Sequence, residues 1–143
     1  MKLKLIIRFA DPEEYPRVAE LISLARCRTM TADDMRLEEK FKTPGTAWYW
    51  WVAIHEDVIV AAAQAVHFGS QLAGRFRLDI AVDPLWRKQG VSQALLAHVR
   101  TYLPARGATR LVCELNDGLD EGLRFAQSTD LRWRGGILAR YCR

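Results

Sequence analysis

The chain has 143 residues, half of them hydrophobic and 27% charged, with a net charge of +4. That profile fits a soluble globular protein of one domain, residues 1–143, with chain enough for a single sizeable core. No apolar run approaches the ~18–20 residues of a membrane helix, and the longest candidate, residues 58–66, is interrupted by Gln64. Three cysteines, Cys27, Cys113 and Cys142, cannot all pair, and their spacings match no metal motif. The basic residues are scattered and form no base-stacking strip with the aromatics, so neither nucleic acid nor a membrane is an expected partner.

Residues 2–9 alternate well enough for an opening strand. The N-terminus carries basic residues and a short apolar run but lacks a long hydrophobic region and a small-residue cleavage site. It therefore reads as a first strand, with a cytoplasmic setting as the default expectation. Asp11 then looks like an N-cap, with Pro12 at the first helical position and Glu13 and Glu14 in the first turn. Val18, Leu21, Ile22 and Ala25 recur at helical spacing, which gives a first helix to about Ala25, and Pro16 either delays or bends it. Residues 31–34, Thr-Ala-Asp-Asp, begin a second, short helix to about Phe41, which Thr43-Pro44-Gly45 breaks.

Residues 48–54 and 58–68 are rich in aromatic and β-branched side chains and are separated by His55-Glu56-Asp57, a hairpin turn. A second connection, residues 69–74, leads to a central strand from about Arg75, in which Leu78, Ile80 and Val82 alternate with Asp79 and Ala81. Pro84 cannot donate a ladder hydrogen bond, so this strand stops at about Asp83. A basic turn follows, Arg87-Lys88-Gln89-Gly90, and then a helix from Val91 whose buried face is Ala94, Leu95, Val99 and Tyr102. It ends at Leu103-Pro104. Residues 109–115 form a fifth strand, parallel to the fourth because a helical crossover joins them. A further helix spans 117–128, and residues 131–134 and 137–141 form one interrupted strand or a hairpin around Gly135-Gly136. The order is β-α-α-β-β-β-α-β-α-β, an α/β arrangement with a mixed sheet.

The junction between the fourth strand and its helix suits an anion. The first N–H groups of a helix have no partner within it, and the helix dipole places partial positive charge there. Gly90 allows close approach to the backbone, and Arg87 and Lys88 add charge, so a phosphate or pyrophosphate is the natural guest. Neither the dinucleotide-binding nor the P-loop glycine pattern is present.

At these residues the sequence resembles the GNAT superfamily of acetyl-CoA-dependent N-acetyltransferases. The family signature is a strand ending in V-x-P, then [QR]-x-x-G-x-[GA], then an apolar helix. Here it reads Val82-Asp83-Pro84, then Arg87-Lys88-Gln89-Gly90-Val91-Ser92, then Ala94-Leu95-Leu96, with Ser92 where Gly or Ala is usual. The element order matches too, so the resemblance extends over nearly the whole chain.

The resemblance implies a fold in which the parallel fourth and fifth strands splay apart, and the parting is expected near Val82 and Cys113, leaving a cleft beside Asp79 and Asn116. It places the pyrophosphate of acetyl-CoA on the amides of Arg87, Lys88, Gln89, Gly90, Val91 and Ser92. Pantetheine would pair with the backbone of Ile80, Ala81 and Val82. It implies no metal and direct transfer of acetyl to an amine on a small molecule or a protein, and it leaves room for a homodimer. A neutral amine attacks the acetyl carbonyl, an oxyanion forms and thiolate leaves, so the protein must deprotonate an ammonium and stabilise the oxyanion.

Asp79 is the first candidate for general base; its structural alternative is pairing with Arg77 or Arg75 on the same strand face. Glu114 is the second, with a solvated strand residue as its alternative. Asn116 matches an asparagine that bonds the cofactor arm, or else caps a helix. Phe125 matches an aromatic that packs along the cofactor and is equally at home in a core. Two positions depart from the family: Ala126 stands where many members have the Tyr that protonates the leaving thiolate, and Asp130-Leu131 replaces Gly-Phe. Those departures favour a rival expectation, a non-catalytic acyl-CoA-binding or regulatory module. The histidines His55, His67 and His98 read as strand-edge or helix-surface residues.

Overall fold

A computed structural model describes residues 3–25, 29–69, 73–116 and 137–142. Its strands are β1 Ile6–Phe9, β2 Ala47–His55, β3 Val58–His67, β4 Arg75–Val82, β5 Arg110–Asn116 and β6 Ile137–Cys142, and its helices are α1 Tyr15–Ala25, α2 Ala32–Lys40 and α3 Val91–Tyr102. The strands form one sheet in the order β1-β2-β3-β4-β5-β6. The first four strands are antiparallel neighbours, whereas β4, β5 and β6 run parallel.

Alternation along the strands sorts the core into two layers. Trp51, Ala63, Phe76, Leu78 and Val82 meet Leu95, Leu96 and Val99 of α3 on one face. Trp50, Val52, Ala62 and Ala81 meet Val18, Leu21 and Ile22 of α1, together with Met35 of α2, on the other. Each fully buried Leu, Ile or Val contributes roughly 1.5–3 kcal/mol of transfer free energy, so the two helical faces clamp the sheet from both sides. The alanines of β3, Ala61, Ala62, Ala63 and Ala65, leave both faces of that strand thin.

Local differences from the sequence expectation have plain causes. The opening strand is shorter than residues 2–9, because β1 has a ladder partner in β2 only from Ile6 to Phe9; Leu3 and Leu5 pack against the core without joining it. Pro12–Glu14 is a short 3₁₀ turn, and α1 begins at Tyr15. Pro16 then falls in the first turn, where its missing N–H has no helical partner to lose. Thr31 and Asp34 cap α2 reciprocally. The β2–β3 hairpin turns on two residues, Glu56 and Asp57, with φ of 47° and 66°. Two successive positive φ angles are what a tight hairpin needs, although neither residue is glycine. Residues 117–128 and 131–136, including the expected last helix and the Gly135-Gly136 turn, lie outside the described residues, as does Cys27. Among the described residues, no helix is long and apolar enough to cross a membrane.

Candidate active site

β4 and β5 pair only over Arg75↔Arg110, Phe76↔Leu111, Arg77↔Val112 and Leu78↔Cys113. Beyond that point β4 continues to Val82 and β5 to Asn116 with no further pairing between them, so the two strands part in mid-sheet. The opening starts at Cys113 as expected, but at Leu78 on β4, four residues before Val82. Ile80, Ala81 and Val82 remain paired to Ala63, Ala62 and Ala61 of β3. Their β5-facing edge therefore carries no ladder and presents backbone to whatever enters the gap.

Just past this opening, Asp83 and Pro84 end the strand. The Asp83 carboxylate accepts the Leu85 N–H at 2.9 Å and the Arg17 guanidinium at 2.5 Å. The hydrogen bond from Arg17, then that from Leu85, holds the Asp83 carboxyl below its usual range. Arg17 also donates to the Ile59 carbonyl, so it ties α1 to both β3 and the end of β4. Arg87 turns back and donates from Nε to the Val82 carbonyl at 3.3 Å, which sets its positive charge over the mouth of the opening.

Lys88 and Gly90 both have positive φ, 64° and 81°. Gly90 is the N-cap of α3, and a Cβ built there meets nothing within 4 Å. The first helical bond is from the Ala94 N–H to the Gly90 carbonyl at 3.1 Å, so the amides of Val91 and Ser92 precede the ladder. Lys88, Gln89 and Gly90 are exposed, whereas the Val91 side chain is buried and anchors the helix start. An exposed glycine in the left-handed region, leading into unladdered amides beside two basic residues, is a fitting cradle for a phosphate.

Asp79 is the first residue of β4 beyond the last β4–β5 pair, and only 1% exposed. Its Oδ2 accepts the Gln64 side-chain amide at 3.0 Å, and Arg77 Nε lies 3.7 Å from the same oxygen. The pairing with Arg77 weighed from sequence is thus present, alongside a partner the sequence reading did not assign. Gln64 is fully buried, and its Oε1 accepts from two indoles, Trp50 Nε1 at 2.7 Å and Trp48 Nε1 at 3.1 Å. The available signal for Gln64 was its interruption of an apolar strand. Its link to residue 79 depended on cross-strand register. Glu114 and Asn116 lie on β5 beyond the last pair with β4, opposite Arg140 and Cys142 of β6. Phe125, Ala126 and Asp130-Leu131 lie outside the described residues.

A cavity of about 140 Å³ lies where β1 has left the edge of β2; Tyr15, Glu39, Lys42, Trp48 and Trp50 line it. Burial first, then the hydrogen bond to Glu39, pushes the Tyr15 hydroxyl up to about 12, so it remains a donor at neutral pH.

Known proteins resemble this chain in fold and family. No curated protein matches the chain. A tandem GNAT protein from the clavulanic acid biosynthesis pathway superposes with a TM-score of 0.61 at 22% identity, over 76% of this chain but 35% of that one. The ribosomal-protein-S18-alanine N-acetyltransferase of Escherichia coli superposes with a TM-score of 0.65 at 18% identity, over 87% of this chain and 76% of its own. An aminoglycoside acetyltransferase from an uncultured soil metagenomic sample gives 0.66 at 19% identity, over 97% and 95% of the two chains. At these identities the likeness is one of fold. Residues 13–127 match the family described as Acetyltransferase (GNAT) family. With most of its length in that match and a sheet that parts between β4 and β5, the chain belongs to the GNAT acetyltransferase family.

Proposed function

We propose that this protein moves an acetyl group from acetyl-CoA to an amine by direct transfer. The observation that carries the reading is the gap between β4 and β5 opening beside the Gly90-led start of α3. The amides of residues 87–92 would hold the pyrophosphate, with Arg87 and Lys88 supplying charge, and the open edge at Ile80, Ala81 and Val82 would pair with pantetheine. Asn116 and Phe125 are the proposed further contacts to the cofactor arm.

Asp79 stands where the strands part, so it is the proposed base, with Glu114 as the second candidate. The amine nitrogen bonds to the acetyl carbon as the carbon–sulfur bond breaks. The proton lost by the amine goes to the carboxylate, and the thiolate leaves unaided or takes a proton from water. Ala126 supplies no hydroxyl for that last step. This same residue favours the second reading, an acyl-CoA-binding module that does no chemistry.

Calorimetric titration with acetyl-CoA, followed by a screen of amine acceptors read by thiol release, tests both. Micromolar binding with turnover on at least one acceptor supports the transferase. Binding without turnover on any acceptor favours the second reading. No heat at millimolar acetyl-CoA contradicts both.

A further inference from the structure

Three residues stand directly opposite one another across adjacent strands: Trp50 on β2, Gln64 on β3 and Asp79 on β4. They form a polar rung beside Arg77, next to the apolar rung of Val52, Ala62 and Ala81, on the sheet face that packs against Val18, Leu21 and Ile22 of α1. Burying an amide and a carboxylate costs several kcal/mol unless each is matched, and well-packed apolar residues in their place are often neutral or stabilising. Folding alone therefore gives no reason for the rung.

Its geometry has a direction. Two indole N–H groups converge on Gln64 Oε1, so that atom must be the carbonyl oxygen. The NH₂ group is thereby aimed at Asp79 Oδ2, and the amide has no favourable flipped state. Resting on the reading of Asp79 as base, we infer that Gln64 is a positioning residue, locked by Trp48 and Trp50, that orients the Asp79 carboxylate and keeps it ionised for proton transfer.

The groups around Asp79 are consistent with this. From β3 Gln64 faces it, and from its own strand Arg77. On β5 the titratable residue that follows the last pair with β4 is Glu114, itself opposite Arg140 in the β5–β6 ladder. α1 packs against β4 with apolar residues, while its Arg17 is engaged with Asp83 and Glu20; Glu14, in the turn before it, is engaged with Arg8. A hydrogen bond donated to a carboxylate favours its charged form, and a second carboxylate in the donor's place opposes it.

The test uses Gln64→Met, which keeps length and neutrality but donates nothing, and Gln64→Glu, which sets a carboxylate against Asp79. The Asp79 carboxyl carbon is titrated by NMR, its signal assigned by loss in Asp79→Asn. The pH profile of kcat/KM is measured with an acceptor found by the screen. The Asp79 midpoint is expected to rise in both variants, by about one pH unit or more in Gln64→Glu. The acid limb of kcat/KM should move with it, while acetyl-CoA affinity stays within a few-fold. A midpoint that does not move in either variant overturns the role of Gln64, whatever Asp79 does in catalysis. A midpoint that moves while Asp79→Asn remains as active as wild type at every pH instead overturns the reading of Asp79 as base.

Discussion

The two ends of the candidate site, both on or beside β4, are built in opposite ways. The α3 junction is local and made of backbone: Val82 to Ser92 are contiguous, the key features are a left-handed glycine and unladdered amides, and Lys88, Gln89 and Gly90 are exposed. The Asp79 rung is non-local and made of side chains: Trp48, Trp50, Gln64 and Asp79 come from three strands, and Gln64 and Asp79 are buried. The first is open to solvent, whereas the second is buried at the point where β4 and β5 part. Substitutions at the junction should therefore act on cofactor affinity, and those in the rung on turnover.

The largest effect is expected at the junction. Gly90→Glu places a side chain and a negative charge in the open space before α3, on a residue whose φ of 81° suits glycine. Acetyl-CoA affinity should fall by about 100-fold or more, the scale of ~3 kcal/mol, by calorimetric titration. In the rung, Asp79→Asn should keep acetyl-CoA affinity within a few-fold while lowering kcat by roughly 10²-fold or more, measured as steady-state thiol release. If the two variants exchanged these signatures, the division of labour between the ends would be wrong.

A smaller effect is expected where the two ends meet. Asp83→Asn breaks the link from Arg17 of α1 to the end of β4 and should cost about 1 kcal/mol of stability at neutral pH. The folded-state pKa of Asp83 is depressed, so its contribution is complete above the unfolded value of about 4 and disappears as pH falls through the folded value. Thermal melts of wild type and variant should differ at pH 7 and converge in acid. Smallest is a change remote from both ends. Glu56→Asn with Asp57→Gly suits the positive φ angles of the β2–β3 turn and should add about 0.5–1 kcal/mol. Thiol release should be unaltered.

The same contrast explains what the sequence made legible. Strand, proline, basic turn, glycine and apolar helix follow one another closely in the chain, so local rules place the glycine-led turn and the helix that it starts. The order of strands and the parallel β4–β5 pair follow from connection lengths and crossover rules. Gln64 was visible as a polar break in an apolar strand, but its partners were not. Joining Trp50 to Gln64 and Gln64 to Asp79 requires two strand registers, and a one-residue slip in either would turn the rung to the opposite face. The hairpin was legible as a turn, whereas its two-residue form was not, because Glu and Asp are poor markers of positive φ. Where β4 leaves β5 was misplaced by four residues on β4, since Asp79 to Val82 retain the alternating pattern of a paired strand even where only β3 pairs with them.

In the proposed function the parted strands and the start of α3 together receive acetyl-CoA. Titrating the ¹⁵N-labelled protein with acetyl-CoA and following each backbone amide tests it most directly. Saturable shifts are expected at micromolar ligand, largest at Gly90, Val91 and Ser92 and along Ile80, Ala81 and Val82, and absent in Gly90→Glu. Shifts confined to the cavity around Tyr15 and Trp48, or none at millimolar ligand, would contradict it.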